Sequence, residues 1–217
     1  MAILWIVDRD GPRLEAGIRM LPNEDAHNLI VNVRRNTALS DLVAEVRGRV
    51  RVPVNLVRIV SHGNSGRLLF SNGTVDIGRV GAFGFLRGLI TQPVFVGSAG
   101  IEIHGCGVAS DYLPPPRVEQ GIGNVTIANY DNMQGELSSW GNSASGITTS
   151  RGVLFLRAFA NVCGVGVMGG IDYQLPDASW SYEGPTITVS ASPSRQARLS
   201  DPRNRFGLGE FYNFYIN

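Results

Sequence analysis

Two residues of this chain, His62 and Cys106, have the types and the surroundings that thiol chemistry requires. They stand in the strings Ser61-His62-Gly63 and Gly105-Cys106-Gly107. A cysteine attacks as its thiolate, which a nearby imidazole supplies by taking the proton or by stabilising the charge. The glycines suit a close approach of substrate, and the backbone N–H groups of Gly63 and Cys106 could form an oxyanion hole. We interpret His62 and Cys106 as a candidate catalytic dyad.

Apolar runs that are typical of buried strands precede both residues. Val54 to Val60 is almost continuously apolar before His62, as a strand buried on both faces requires, and Ala99 to His104 precedes Cys106. The intervening segment holds a predicted hairpin around Asn72-Gly73 and a weak helical pattern. Such a segment allows the two strands to be adjacent and parallel, and ligands bind at the carboxyl edge of parallel sheets.

Two charges interrupt these apolar runs at matching positions. Arg58 lies four residues before His62, and Glu102 lies four residues before Cys106. If the dyad residues are level on neighbouring strands, the two charges are level as well. An unpaired buried charge is very costly, so the register predicts an ion pair between Arg58 and Glu102.

The rest of the chain shows alternating strand and helix patterns. Apolar residues recur at helical spacing in 37–46 and 152–163. Further strands are predicted at 1–7, 29–33, 165–168 and 186–189, and an aromatic end at 211–215 is expected to pack onto the body. The segment 111–151, rich in Pro, Gly, Ser and Asn, is predicted to be a loop-rich insertion. These patterns predict one α/β domain spanning 1–217.

The order of the motifs resembles the caspase, gingipain, clostripain and separase clan of cysteine peptidases. In that clan, one strand ends in His-Gly and a later strand ends in a small residue and Cys, as His62-Gly63 and Gly105-Cys106 do. The resemblance covers about 1–110 and, more loosely, 152–170. The string Ser61-His62-Gly63, together with the string from Gly105 to Ala109, is also similar to a caspase-like domain of unknown function in large bacterial surface proteins.

The resemblance implies a fold and a set of roles. The fold would be a three-layer sandwich with helices on both faces of a mostly parallel sheet and a small β-hairpin. His62 would be the acid/base and Cys106 the acyl-forming nucleophile of an endopeptidase that acts on a protein or peptide. Asp172 would supply the charge of the clan's specificity pocket. A carboxylate there would favour a substrate with a basic residue before the scissile bond.

His104 has three open roles. It lies two residues before Cys106, so on a continuing strand both side chains would face the same side. There it could line the pocket or tune the thiol, and a hydrogen-bonded structural role is equally open.

Composition restricts the classes of partner. The chain is 43% hydrophobic and 17% charged, which predicts a packed core, and its net charge of +1 gives no broad field for nucleic acid or anionic membranes. Two cysteines are too few for a disulfide framework. No apolar run reaches the roughly 20 residues of a membrane span, and the first run is short for a signal peptide. We expect a cytoplasmic protein, or one exported without a classical signal peptide, and leave the oligomeric state open.

Other chemistries have less support. A metal site built from His62, His104, Cys106 and Cys163 lacks compact Cys/His pairs, and Cys163 is predicted to be core. The two Gly-x-Ser strings lack the final Gly of a nucleophile elbow. The dyad needs no cofactor or metal, and regulation by calcium or by self-cleavage in 111–151 is a hypothesis. The main rival is a catalytically silent caspase-fold module that binds a peptide or partner in the same cleft.

Overall fold

The computed structural model describes residues 2–11, 14–91, 99–109, 151–171, 180–182, 185–200 and 210–216. The helices in these residues are α1 (Glu15–Arg19), α2 (Leu39–Arg49) and α3 (Arg151–Cys163), with a 3-10 helix at Val80–Leu86. The strands are β1 (Ile3–Asp8), β2 (Asn28–Val33), β3 (Leu56–Val60), β4 (His62–Asn64), β5 (Arg67–Phe70), β6 (Gly73–Val75), β7 (Ile101–His104), β8 (Val167–Gly170), β9 (Thr186–Val189), β10 (Gln196–Ser200) and β11 (Phe211–Tyr215). The predicted insertion up to residue 150, and Asp172, lie outside the described residues.

Eight of these strands form one sheet in the order β2-β1-β3-β7-β8-β9-β10-β11. The first five strands in this order are parallel, and β9, β10 and β11 continue the sheet in antiparallel pairs. A separate antiparallel sheet contains β4, β5 and β6. The predicted α/β class, with a mostly parallel sheet and a small antiparallel element, is confirmed.

Alternate residues of β1 bury two different faces of the sheet. Leu4 and Ile6 join the large core that contains residues of α2, α3 and the 3-10 helix. Trp5 and Val7 face the other way, into a smaller cluster with Trp180, against which Ile18 of α1 packs. Burial on both faces explains why the central strands are almost continuously apolar.

Two elements near the dyad differ from the sequence prediction. The glycines and small polar residues of 61–66 predict a break in regular pairing after β3, but residues 62–64 form β4 and pair with β5. Strand β8, expected at 165–168, lies two residues later and includes Gly169. A Cβ at Gly169 would lie 2.5 Å from Val108 Cγ1, so only glycine fits beside the turn that follows Cys106.

Among the described residues, no helix is long and apolar enough to cross a membrane.

Candidate active site

His62 and Cys106 leave the sheet at the same level. Strands β3 and β7 are adjacent and parallel, as predicted, and their last paired residues are Val60 and His104. Each dyad residue lies two positions beyond this pair. Both are partly exposed, so neither is sealed in the core.

The two segments that carry them are in direct backbone contact. A Cβ placed on Gly63 would lie 3.3 Å from the Cys106 carbonyl oxygen, and one on Gly105 would lie 3.3 Å from the Ser61 carbonyl oxygen. Side chains at these positions would push the two backbones apart by a few tenths of an ångström. The glycines that flank the dyad therefore allow the two strand ends to meet.

Three neighbouring elements hold the turn that follows Cys106. The Gly66 N–H donates to the Val108 carbonyl at 3.0 Å, and the Ala109 N–H donates to the Gly170 carbonyl at 2.9 Å. At the start of α3, a Cβ on Gly152 would lie only 2.1 Å from the Ala109 carbonyl carbon. The turn is thus held by the β4–β5 hairpin, by β8 and by α3.

A buried carboxylate that the sequence analysis did not single out anchors the small sheet. Asp8, at the end of β1, is fully buried and accepts hydrogen bonds from the Ser71 backbone N–H at 2.8 Å and the Ser71 hydroxyl at 2.6 Å. Ser71 forms the β5–β6 turn, and β5 pairs with the strand that contains His62. The signal in the sequence was a carboxylate directly after a buried strand.

The hairpin geometry leaves the Gly63 N–H outside the β4–β5 ladder. The pair Asn64 and Arg67 closes the two-residue turn Ser65-Gly66. In a two-residue hairpin the closing pair is of the hydrogen-bonded kind. Since hydrogen-bonded and non-bonded pairs alternate in antiparallel sheets, Gly63 and Leu68 form a non-bonded pair. The Gly63 N–H therefore points away from β5.

The predicted ion pair between β3 and β7 is confirmed. Arg58 and Glu102 are register partners, and Arg58 Nε donates to Glu102 Oε2 at 2.7 Å. The Arg58 guanidinium carbon also lies 4.9 Å from the Trp5 ring centroid, a cation–π distance. Burial raises the pKa of the Glu102 carboxyl, but the His104 hydrogen bond and the Arg58 charge outweigh it, so the pKa lies below its usual range.

His104 lies in an aromatic enclosure beside this pair. Its ring stacks on Tyr182 with centroids 4.8 Å apart, meets the edge of Trp180 at 5.4 Å, and places Nε2 3.3 Å from Glu102 Oε2. The side chain is only 7% exposed. The structural role considered for His104 is therefore present, and its role in a substrate pocket stays a prediction.

Cys163 is core, as predicted. It is 1% exposed, its Sγ lies 3.6 Å from the Phe83 carbonyl oxygen, and burial raises the pKa of its thiol to about 12. It belongs to the large core that contains residues of α2, α3 and the 3-10 helix, whereas His104 packs against Trp180 on the opposite face of the sheet. Neither cysteine is in a disulfide, and no metal-binding group of three or more His, Cys, Asp or Glu side chains occurs in the described part of the chain.

Two surface cavities lie away from the dyad. One of about 490 Å³ lies between α2, β6 and the 3-10 helix, and one of about 400 Å³ lies on β9, β10 and β11. Neither His62 nor Cys106 is among their described lining residues. The backbone contact between Gly63 and Gly105 lies at the two strand ends and is separate from both cavities.

No protein-family model and no curated protein sequence matches this chain.

Proposed function

We propose that the chain is a cysteine endopeptidase of caspase-like fold, with Cys106 as nucleophile and His62 as acid/base. The observation that carries the proposal is the contact of the Gly63 and Gly105-Cys106 backbones at the level carboxyl ends of β3 and β7. A thiol and an imidazole that leave neighbouring strands at one level can reach the same peptide bond.

In the proposed mechanism, His62 takes the Cys106 proton and the thiolate attacks the carbonyl carbon of the scissile bond. The tetrahedral intermediate collapses when His62 returns the proton to the leaving amine, and a thioester on Cys106 remains. Water then attacks the thioester carbonyl as His62 takes a proton from it. Expulsion of the Cys106 sulfur, which regains that proton, releases the carboxylic acid.

The oxyanion of each intermediate needs nearby donors. The Gly63 N–H is the first candidate because it lies outside the β4–β5 ladder, and the Cys106 N–H is the second. The Cys106 donor adjoins the turn that three elements hold, and the Gly63 donor belongs to one of those elements, the β4–β5 hairpin. Both would need little reorganisation during the reaction, which is where such groups contribute most.

The substrate proposal is a protein or peptide, and the preference for a basic residue depends on Asp172. Glu102 is a poor source of pocket charge, because it is already neutralised by Arg58 and hydrogen-bonded to His104. Initial rates on fluorogenic peptides ending in Arg, Lys or Asp test the preference. A preference for Asp would discard the acidic pocket.

Hydrolysis of a diverse peptide mixture, followed by mass spectrometry, tests the activity itself. Wild-type protein should produce new peptide ends, Cys106→Ala and His62→Ala should produce none, and Cys163→Ala should match wild type as the thiol control. Equal cleavage by wild type and Cys106→Ala would overturn the proposal.

A further inference from the structure

His104, the last residue of β7 before Gly105 and Cys106, belongs to a cluster of charged and aromatic side chains. Arg58 Nε and His104 Nε2 both lie against one carboxylate oxygen, Glu102 Oε2, at 2.7 and 3.3 Å. The charged side chains are 18% and 17% exposed, and the imidazole is 7% exposed. These three side chains are therefore mostly shielded from water.

The carboxylate determines which imidazole nitrogen carries a proton. An ionised carboxylate oxygen only accepts hydrogen bonds, and the pKa of Glu102 lies below its usual range. His104 Nε2 must then be the donor. In the neutral ring, this leaves Nδ1 without a proton, so Glu102 fixes the tautomer as well as the orientation.

Other contacts fix the backbone at the same point. The Tyr182 hydroxyl lies 3.0 Å from the Ile103 carbonyl oxygen and 3.3 Å from the Met168 carbonyl oxygen, bridging β7 and β8 near their ends. The ring of Tyr182 stacks on His104. The ladder between β7 and β8 ends at Ile103. Side chains thus hold the chain where it leaves the sheet, two residues before Cys106.

We infer that His104 is a positioning residue for the proposed dyad, and that its hydrogen bond to Glu102, backed by Arg58, sets the orientation of the strand end that carries Cys106. This inference rests on the proposed function and adds a second histidine, which acts through the placement of Cys106 and not on the reacting atoms. A purely stabilising role would need no charges here, since well-packed apolar side chains are often as stable as a buried ion pair.

Two substitutions separate the hydrogen bond from the aromatic packing. His104→Gln keeps an N–H donor that reaches Glu102 but loses the ring. His104→Phe keeps a ring on Tyr182 but loses the donor. Melting temperatures report folding in both variants, and the alkylation rate of Cys106 by iodoacetamide reports the position of the thiol.

We expect His104→Phe to slow Cys106 alkylation at pH 7 by about tenfold, because moving Cys106 away from His62 lowers the fraction of thiolate, which is the form that reacts. His104→Gln should stay within about threefold of wild type, because it keeps the hydrogen bond that holds Cys106 in place. The two thiols are separated in a tryptic digest, where Cys106 falls in peptide 88–117 and Cys163 in peptide 158–195. A wild-type rate in His104→Phe, or equal losses in both variants, would overturn the inference.

Measuring Cys106 alkylation in His62→Ala as well distinguishes the failure of this inference from the failure of the proposed function. If His62→Ala reacts like wild type while His104→Phe is slow, the dyad fails, and what stands is that the hydrogen bond between His104 and Glu102 controls the reactivity of Cys106. If His62→Ala is slow and His104→Phe is not, only the positioning role fails.

The tautomer gives a readout that does not depend on catalysis. The chain has three histidines, so long-range 1H–15N spectra of the imidazole rings can be assigned by substitution. At pH 8 the His104 ring should carry its proton on Nε2. A proton on Nδ1 alone would overturn the hydrogen bond on which the inference depends.

Discussion

At the scale of single residues, Asp8 does more to hold the candidate site together than its place in the sequence suggests. It is fully buried, and both of its oxygens accept hydrogen bonds from Ser71, which ties the small sheet to the end of β1. A carboxylate after a strand looks like the start of a loop when only the sequence is known. Its role depends on a residue 63 positions away.

Asp8→Ala should destabilise the protein by roughly 1 to 3 kcal/mol, because the Ser71 backbone N–H is left without its acceptor. Ser71→Ala removes only the hydroxyl bond and should cost about 1 kcal/mol. Asp10→Ala is the matched control, since Asp10 is an exposed carboxylate that accepts one backbone hydrogen bond from Arg35. Urea unfolding measures all three, and an Asp8→Ala midpoint equal to that of Asp10→Ala would contradict the anchoring role.

At the scale of elements, the ion pair between Arg58 and Glu102 joins β3 and β7, the two strands that lead to the residues of the proposed dyad. Breaking it from one side leaves a mostly buried charge unpaired, and the 17–18% exposure of the partners moderates the penalty. We expect Arg58→Met and Glu102→Leu each to lower the free energy of unfolding by up to roughly 3 kcal/mol. The double variant should recover most of this loss. Strictly additive losses in a urea double-mutant cycle would contradict the pairing.

The ion pair between Arg58 and Glu102 also predicts how the free energy of unfolding changes at acid pH. The pKa of Glu102 is held below its ordinary value of 4.5, so its stabilising contribution is fully present above that pH. It is lost as pH falls through the lower folded-state value. Wild type should therefore lose stability more steeply on acidification than Glu102→Gln. Parallel curves of unfolding free energy against pH below 4.5 would contradict this.

The elements could be predicted from the sequence where burial imposes a pattern. The apolar runs gave β1, β2 and β3, the helical spacing gave α2 and α3, and the interrupting charges gave the register of β3 and β7. Strand β4 was missed because three residues that include a glycine carry no period. In β10 only Ala197 and Leu199 are buried, which is too short an alternation to identify a strand.

At the scale of the whole molecule, the two cysteines report different events. Cys163 is 1% exposed and burial raises its pKa to about 12, so its alkylation requires the core to open. In native buffer we expect Cys163 to be labelled less than about one hundredth as fast as Cys106. In 8 M urea the rates should become similar. Rapid native labelling of Cys163 would contradict the packing of α3.

The site was predictable to the extent that it follows from the sheet. Level ends of β3 and β7 follow from the register, and the flanking glycines are visible in the sequence. The enclosure of His104 was not predictable, because Trp180 and Tyr182 come from a distant segment with no periodic pattern. Such contacts are decided by the path of the chain across the sheet.

The most direct test of the dyad is the pH dependence of Cys106 alkylation in wild type and in His62→Ala. A thiol that interacts with His62 should have a pKa below the ordinary value of about 8.5. In His62→Ala, the inflection of the plot of alkylation rate against pH should move up towards that value. At pH 7 the variant should react about tenfold more slowly, following the loss of thiolate. Superimposable profiles would contradict the dyad, and an inert Cys106 in both proteins would favour a binding module without catalytic activity.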